Sequence, residues 1–288
     1  MAIQKIGVVG CGLMGSGIAQ VSAQAGFPTI VREVSPNALE KGMGSIRKFL
    51  QGGVDKGKLA AADMEKTLAN LKGTTDLKDL ADCDLVVEAA TENVALKKEL
   101  FGALDAAMKG GAILASNTSS LSITELATFT KRPERVIGLH FFNPVPLMKL
   151  VEVVHTVRSD AAVLQDLNAW CMAIGKTVVR CGDSTGFVVN RLLVPYMLDA
   201  VRVFEQGLAS RDDIDTAMKL GCGYPMGPLL LTDYVGLDTT YYISEIMFDE
   251  FKEQRFAAPP LLKRMVLAGM HGRKSGRGFY DWSTNPPS

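Results

Sequence analysis

The tightest constraint on this chain is a turn near its beginning. Gln4 to Val9 is a short run rich in β-branched residues that leads directly into Gly10-Cys11-Gly12-Leu13-Met14-Gly15, and Ser16 to Ala25 then reads as a helix closed by Gly26. A G-x-G-x-x-G pattern says little alone, but between a strand and a helix each glycine has a task. The first permits the tight turn, the second lets a pyrophosphate approach the backbone, and the third lets helix and strand pack closely. The helix N-terminus then offers amide donors and a positive dipole to a diphosphate. A second apolar run, Thr29-Ile30-Val31, ends at Arg32-Glu33, with Glu33 18 residues beyond Gly15. Dinucleotide-binding units place the carboxylate for the adenosine ribose there, and that charge repels the extra phosphate of NADP. NAD is therefore the expected cofactor, with NADP left open by Arg32. The same residues also fit an ordinary strand–helix turn followed by a solvated strand end.

With 288 residues the chain holds one large or two medium domains. Its 47% hydrophobic and 22% charged composition is that of a soluble globular protein. Lys+Arg and Asp+Glu both number 31, so global charge offers nothing to nucleic acid or a membrane surface, and an anionic partner must be held locally. No apolar run approaches the ~18 residues of a membrane span. The first strand-like run starts close to Met1, so no targeting segment is expected. Five cysteines without C-x-x-C spacing fit a reducing compartment, with cytoplasm as the default, and argue against a zinc site.

Further along, Pro36 to Leu50 reads as a helix that Gly52-Gly53 interrupts before a second helical stretch, Ala60 to Leu71. Leu85-Val86-Val87 leads to Glu88-Ala89-Ala90-Thr91-Glu92, and Ala112 to Ala115 to Ser116-Asn117-Thr118-Ser119-Ser120. Polar clusters at the carboxyl ends of strands are where open α/β sheets bind ligands, although Thr118 to Ser122 also suit a helix cap. Leu139 to His155 places His140 at the end of one apolar run and Glu152 on the next. Neighbouring strands would let the two meet as an acid/base pair; in isolation they read rather as a strand cap and a solvated edge residue. After Asp183 strand-like runs cease. Val188 to Phe204 carries apolar residues at Val188, Leu192, Leu193, Tyr196, Ala200 and Val203, near a 3.6 period, and Ser210 with Asp213 forms a capping box for a helix that Gly221 ends. The expected architecture is α/β: a Rossmann-type dinucleotide-binding domain (1–183) with a helical pair inserted after its second strand, then an all-helical domain (184–288).

In order, GCGLMG, Glu33, EAATEN, SNTSSLSI, HFFNPVPLMKLVEV, GFVVNR, GYPMGP and GRKSGRGFYDW closely resemble the 3-hydroxyacyl-CoA dehydrogenases, most nearly the stand-alone 3-hydroxybutyryl-CoA dehydrogenases, over essentially the whole chain. The resemblance implies catalysis by His140 and Glu152 as a proton-transfer dyad, with Ser119 and Asn190 on the reacting oxygen. It implies NAD contacts at Gly10, Gly12, Leu13, Met14 and Gly15, at Glu33, at Ala90, Glu92 and Lys97, at Asn117, Ser119 and Asn143, and at Lys274. An acyl-CoA substrate would meet Ser119, Lys56 and Asn190. The resemblance also implies a homodimer through the helical domain and no metal. His155 and His271 are assigned to structure. Gly52-Gly53 stands where relatives often carry a lysine for the CoA phosphates, and Gly223-Tyr224 where many bacterial relatives have Asn-His. Cys11, at a helix N-terminus, is expected either to have a lowered thiol pKa, with alkylation slowed by NAD, or to be a small buried residue. Two other readings keep the fold: a dehydrogenase of free sugar acids or hydroxy acids, and a catalytically silent structural relative. The intact Ser119, His140, Glu152 and Asn190 set argues against the latter.

Overall fold

The computed structural model describes residues 3–288; Met1 and Ala2 lie outside the described residues. The chain divides into two compact units, Met1–Ser184 and Thr185–Ser288.

Unit 1 runs β1 (Ile6–Val9), α1 (Leu13–Gln24), β2 (Thr29–Arg32), α2 (Pro36–Asp55), α3 (Ala61–Ala69), β3 (Leu71–Thr74), β4 (Leu85–Glu88), α4 (Val94–Ala107), β5 (Ile113–Ser116), α5 (Ile123–Thr128), β6 (Val136–Phe141), β7 (Leu150–His155), α6 (Ala161–Ala173) and β8 (Thr177–Gly182). The strands form one sheet in the order β3-β2-β1-β4-β5-β6-β7-β8. Neighbours from β3 to β6 are parallel, β7 runs antiparallel to β6, and β8 is parallel to β7. This is the doubly wound Rossmann-type arrangement, with its crevice between β1 and β4 where the order reverses. The central strands β1, β4 and β5 are buried throughout, as parallel strands covered by helices on both faces must be.

The helical pair after the second strand is α2 and α3, but two boundaries differ from the sequence expectation. Helix α2 continues through Gly52-Gly53 and stops at the Lys56 cap. A helical glycine costs only about 1 kcal/mol, which the buried Ile46 and Leu50 offset. Leu71, expected to end a helix, instead opens β3, an edge strand whose LKGT sequence is neither apolar nor alternating.

Unit 2 contains α7 (Val189–Glu205), α8 (Arg211–Cys222), α9 (Pro228–Val235), α10 (Leu237–Phe251) and α11 (Pro260–Leu267). Helix α7 buries Val194, Met197, Leu198, Ala200 and Val201, whereas Leu192 and Val188 of the expected stripe are exposed. The helix is apolar over so wide an arc that its period alone does not choose the inward face. Ser210 caps α8 as expected, accepting from Asp213 N at 3.2 Å. The helix ends at Gly223, with φ of 72°, and not at Gly221. Two buried carboxylates organise this unit. Asp215 accepts from Leu229 N, Leu230 N and the Tyr280 hydroxyl at 2.8, 2.9 and 2.8 Å. Asp233 accepts from Phe279 N and Tyr280 N at 2.8 Å and from Trp282 Nε1 at 2.9 Å. The GYPMGP and GRGFYDW motifs are thereby fastened to the helices.

Candidate active site

The glycine turn lies at the carboxyl end of β1. A Cβ on Gly10 would lie 2.7 Å from Ala89 O, and one on Gly15 would lie 1.8 Å from Gly10 O, so both positions are closed to any side chain. A Cβ on Gly12 would meet nothing within 4 Å, which leaves the backbone open on the side a diphosphate would take. Gly12 is the N-cap of α1 and has no side-chain acceptor for the first amides, and no acidic residue occupies the first turn. Glu33, at the end of β2, reaches back over the turn: Oε1 accepts from Cys11 N at 3.0 Å and Oε2 from Val34 N at 2.9 Å. An open glycine backbone, an uncapped helix start and a carboxylate beside them fit a dinucleotide.

Cys11 does not have a lowered pKa. Burial, and secondarily the charge of Glu33, push its thiol up to about 11. At 4% exposure the helix dipole is outweighed by desolvation of the thiolate.

The loops after β4 and β5 are stitched together. Asn117 Oδ1 accepts from Phe141 N at 2.9 Å, tying the β5 loop to the end of β6. Glu92 accepts from the Thr118 hydroxyl at 2.7 Å and from Ser119 N at 3.2 Å. Asp183 takes three bonds from the start of α5, from Ser122 Oγ, Ile123 N and Thr124 N at 2.8, 3.0 and 2.7 Å. Lys97 is buried, with its ammonium directed to Glu88 and Ser116. Ala90 N donates to Glu88 Oε1 at 2.9 Å.

His140 and Glu152 are directly opposite in the antiparallel β6–β7 register, and Nδ1 lies 2.7 Å from Glu152 Oε2. Both are buried, Glu152 completely. A slip of one residue would send Glu152 to the other face of the sheet. Gly138 shows which face this is, since a Cβ there would lie 2.9 Å from Ile123 of α5. His140, two residues on, points to the same face, at the end where the Ser119 loop enters α5. Phe141 points the other way, edge-on to Trp170 of α6 with 6.3 Å between centroids.

Asn143 is exposed in the loop after β6. That loop is held by Lys176, whose ammonium donates to Val145 O and Met148 O. Burial lowers the Lys176 pKa. Lys56 lines a cavity of about 640 Å³ on unit 1 together with Lys48, Lys58, Phe49 and the Gly52-Gly53 pair. In unit 2, Asn190 is in the first turn of α7 and Lys274 pairs with Asp238 at 2.5 Å. His271 Nε2 faces Val266 O at 3.2 Å. Sequence reasoning passed over Asp183 and Lys176, whose partners lie tens of residues away and leave no local pattern. Among the described residues no group of three or more His, Cys, Asp and Glu is arranged to hold a metal, and no helix is long and apolar enough to cross a membrane.

Comparison with known proteins identifies the family. The family model for the NAD binding domain of 3-hydroxyacyl-CoA dehydrogenase matches residues 5–184, and that for the C-terminal domain of the same family matches 186–282. A 3-hydroxybutyryl-CoA dehydrogenase of Mycobacterium tuberculosis is 50% identical over 98% of this chain and 99% of its own. The mitochondrial hydroxyacyl-coenzyme A dehydrogenase of Sus scrofa is 46% identical, over 97% of this chain and 91% of its own. Among solved structures, the (S)-3-hydroxybutyryl-CoA dehydrogenase of Ralstonia eutropha is 42% identical and superposes with a TM-score of 0.95, covering 98% of this chain and 100% of that one. With both halves matched in order, the chain belongs to the 3-hydroxyacyl-CoA dehydrogenase family.

Proposed function

We propose that this chain interconverts (S)-3-hydroxyacyl-CoA and 3-ketoacyl-CoA with NAD, and that its substrate pair is 3-hydroxybutyryl-CoA and acetoacetyl-CoA. The observation that carries the reading is the buried His140–Glu152 pair on the face of the sheet where the Ser119 loop begins. Glu152 takes the Nδ1 side of the imidazole, so exchange of a proton with the substrate 3-hydroxyl runs through Nε2. When that proton arrives the ring becomes cationic, and Glu152 stabilises the imidazolium from a position shielded from water. Ser119 and Asn190 donate hydrogen bonds to the oxygen as it gains carbonyl character. Gly10, Gly12, Leu13, Met14, Gly15 and Glu33 would hold the dinucleotide, and the family resemblance adds Ala90, Glu92, Asn117, Asn143 and Lys274 as further contacts. When bound, the nicotinamide would supply the hydride acceptor for C3. In reverse, His140 donates its proton to the ketone.

The cavity lined by Lys48, Lys56 and Lys58 supplies local positive charge for the CoA phosphates on a chain with no net charge. The exposed Leu192, Leu208, Leu220 and Leu267 give unit 2 apolar surface for a homodimer, and five unpaired cysteines suit the cytoplasm. The test follows NADH consumption with acetoacetyl-CoA and, in parallel, with free acetoacetate. Turnover of the thioester alone supports the proposal. Turnover of the free acid alone points to a hydroxy-acid dehydrogenase, and turnover of neither rejects the assigned reaction.

A further inference from the structure

Residues 142–149, between β6 and β7, form a loop without regular structure that begins beside the imidazole. The Phe142 ring lies 4.5 Å from that of His140, tilted at 56°. Leu147 N and Met148 N both donate to Pro144 O, at 2.9 and 3.0 Å, which closes the loop into a single turn. Its outer side is open, with Leu147 65% exposed, so the contacts of its inner side must hold it. Val145 is buried and sits so close to α1 that a Cβ on Gly17 would lie 2.7 Å from the Val145 Cβ. Lys176, itself 7% exposed, comes from the stretch between α6 and β8 and donates to Val145 O and, at 2.8 Å, to Met148 O. At the exit of the loop Thr177 N adds a bond of 2.7 Å to Lys149 O.

A single turn has no following turn to take up its last carbonyls, and a carbonyl on a buried residue cannot turn to water instead. An ammonium meets both needs, with several donors and a positive charge at the negative end of the turn. We propose that Lys176 is a positioning residue: it clamps the 142–149 loop against α1, keeps Phe142 against the His140 ring and sets the place of Asn143, without touching substrate or cofactor. The consequence for turnover rests on the dehydrogenase reading above; the clamp itself does not. The seat on Gly17 and the bonds from Lys176 act on the same residue, Val145. Disturbing both should therefore cost less than the product of the separate effects.

The experiment uses Lys176→Met, which keeps the reach of the side chain and removes its donors, Gly17→Ala, which keeps Lys176 and pushes Val145 from the α1 side, and their combination. Hydrogen exchange of segment 142–149 is measured in the ligand-free protein, NADH affinity by fluorescence titration, and kcat with acetoacetyl-CoA. Lys176→Met is expected to speed exchange in this segment about 10-fold and to lower kcat about 30-fold, while NADH affinity falls no more than about 3-fold. Gly17→Ala should speed exchange in the same segment and lower kcat about 10-fold, and the double variant should stay within about 3-fold of Lys176→Met alone. A lysine that only adds stability would lower Tm and leave exchange in the loop and kcat per folded molecule unchanged. That result, or effects of the two substitutions that multiply in full, would overturn the proposal. Should Lys176→Met fail to fold, the milder Lys176→Gln takes its place under the same criteria. Gly17→Ala then decides independently, since unchanged exchange or unchanged kcat in that variant also rejects the clamp. A wild-type protein inactive on acetoacetyl-CoA would refute the assigned reaction, while exchange in 142–149 would still decide the clamp.

Discussion

Four carboxylates among the described residues are 5% exposed or less, two in each unit, and they are used in opposite ways. In unit 1, Glu152 faces an imidazole and Glu88 an ammonium. In unit 2, Asp215 and Asp233 face backbone amides, a phenol and an indole. All four carry the desolvation cost of a buried charge, and in each case it is met by hydrogen bonds. Burial therefore does not distinguish a site from a scaffold; the partner does. A carboxylate beside a basic side chain stabilises a charge that appears during a reaction or fixes a cluster next to one. A carboxylate that collects amides closes a helix end or fastens a tail.

Substitutions at His140 and Glu152 test this contrast with the largest effect. His140→Gln should lower kcat about 1,000-fold, and Glu152→Gln about 100-fold, because an amide neither fixes the tautomer nor balances the imidazolium. Steady-state turnover of acetoacetyl-CoA checks both. The second effect is mirrored in unit 2. Asp215→Asn leaves one of the amides at the start of α9 without an acceptor, which should cost about 2 kcal/mol and lower Tm by about 5 °C, with kcat per folded molecule unchanged. If Glu152→Gln lost Tm and kept turnover, or Asp215→Asn did the reverse, the contrast would be wrong.

The parts of this arrangement that are legible in the sequence are those made by residues close together or by an unbroken pattern. The GCGLMG turn with Glu33 declares its geometry, because strand, glycines, helix and acid all fall within 33 residues. His140 and Glu152 are 12 apart, and their meeting required only that two apolar runs be adjacent antiparallel strands in the right register. Beyond that range the sequence misleads or is silent. LKGT gives no strand signal, because an exposed edge strand need not bury anything. Gly52-Gly53 looked like a break, yet packing on Ile46 and Leu50 carried α2 past it. Lys97 matches a cofactor contact by resemblance, and only the fold shows that its ammonium also reaches Glu88.

Glu33 is the case that does not fit the contrast, and it gives the smallest and most discriminating test. It accepts from amides, Cys11 N and Val34 N, as in unit 2, yet it is half-buried and sits at the cofactor turn. Its charge also bears on an ionisable neighbour, since it is the secondary reason the Cys11 thiol lies at about 11, above its ordinary 9.0. In Glu33→Gln one of the two amides loses its acceptor, but at this half-buried position water can replace it, so Tm should move by less than about 2 °C. Removing the charge makes the Cys11 thiolate easier to form, so the midpoint of its alkylation rate against pH should fall from about 11. It should remain above 9.0, because burial is the larger cause and is unchanged. A midpoint at the ordinary value would mean that the carboxylate dominates. Glu33 would then belong with Glu88 and Glu152, among the carboxylates that act on a neighbouring ionisable group.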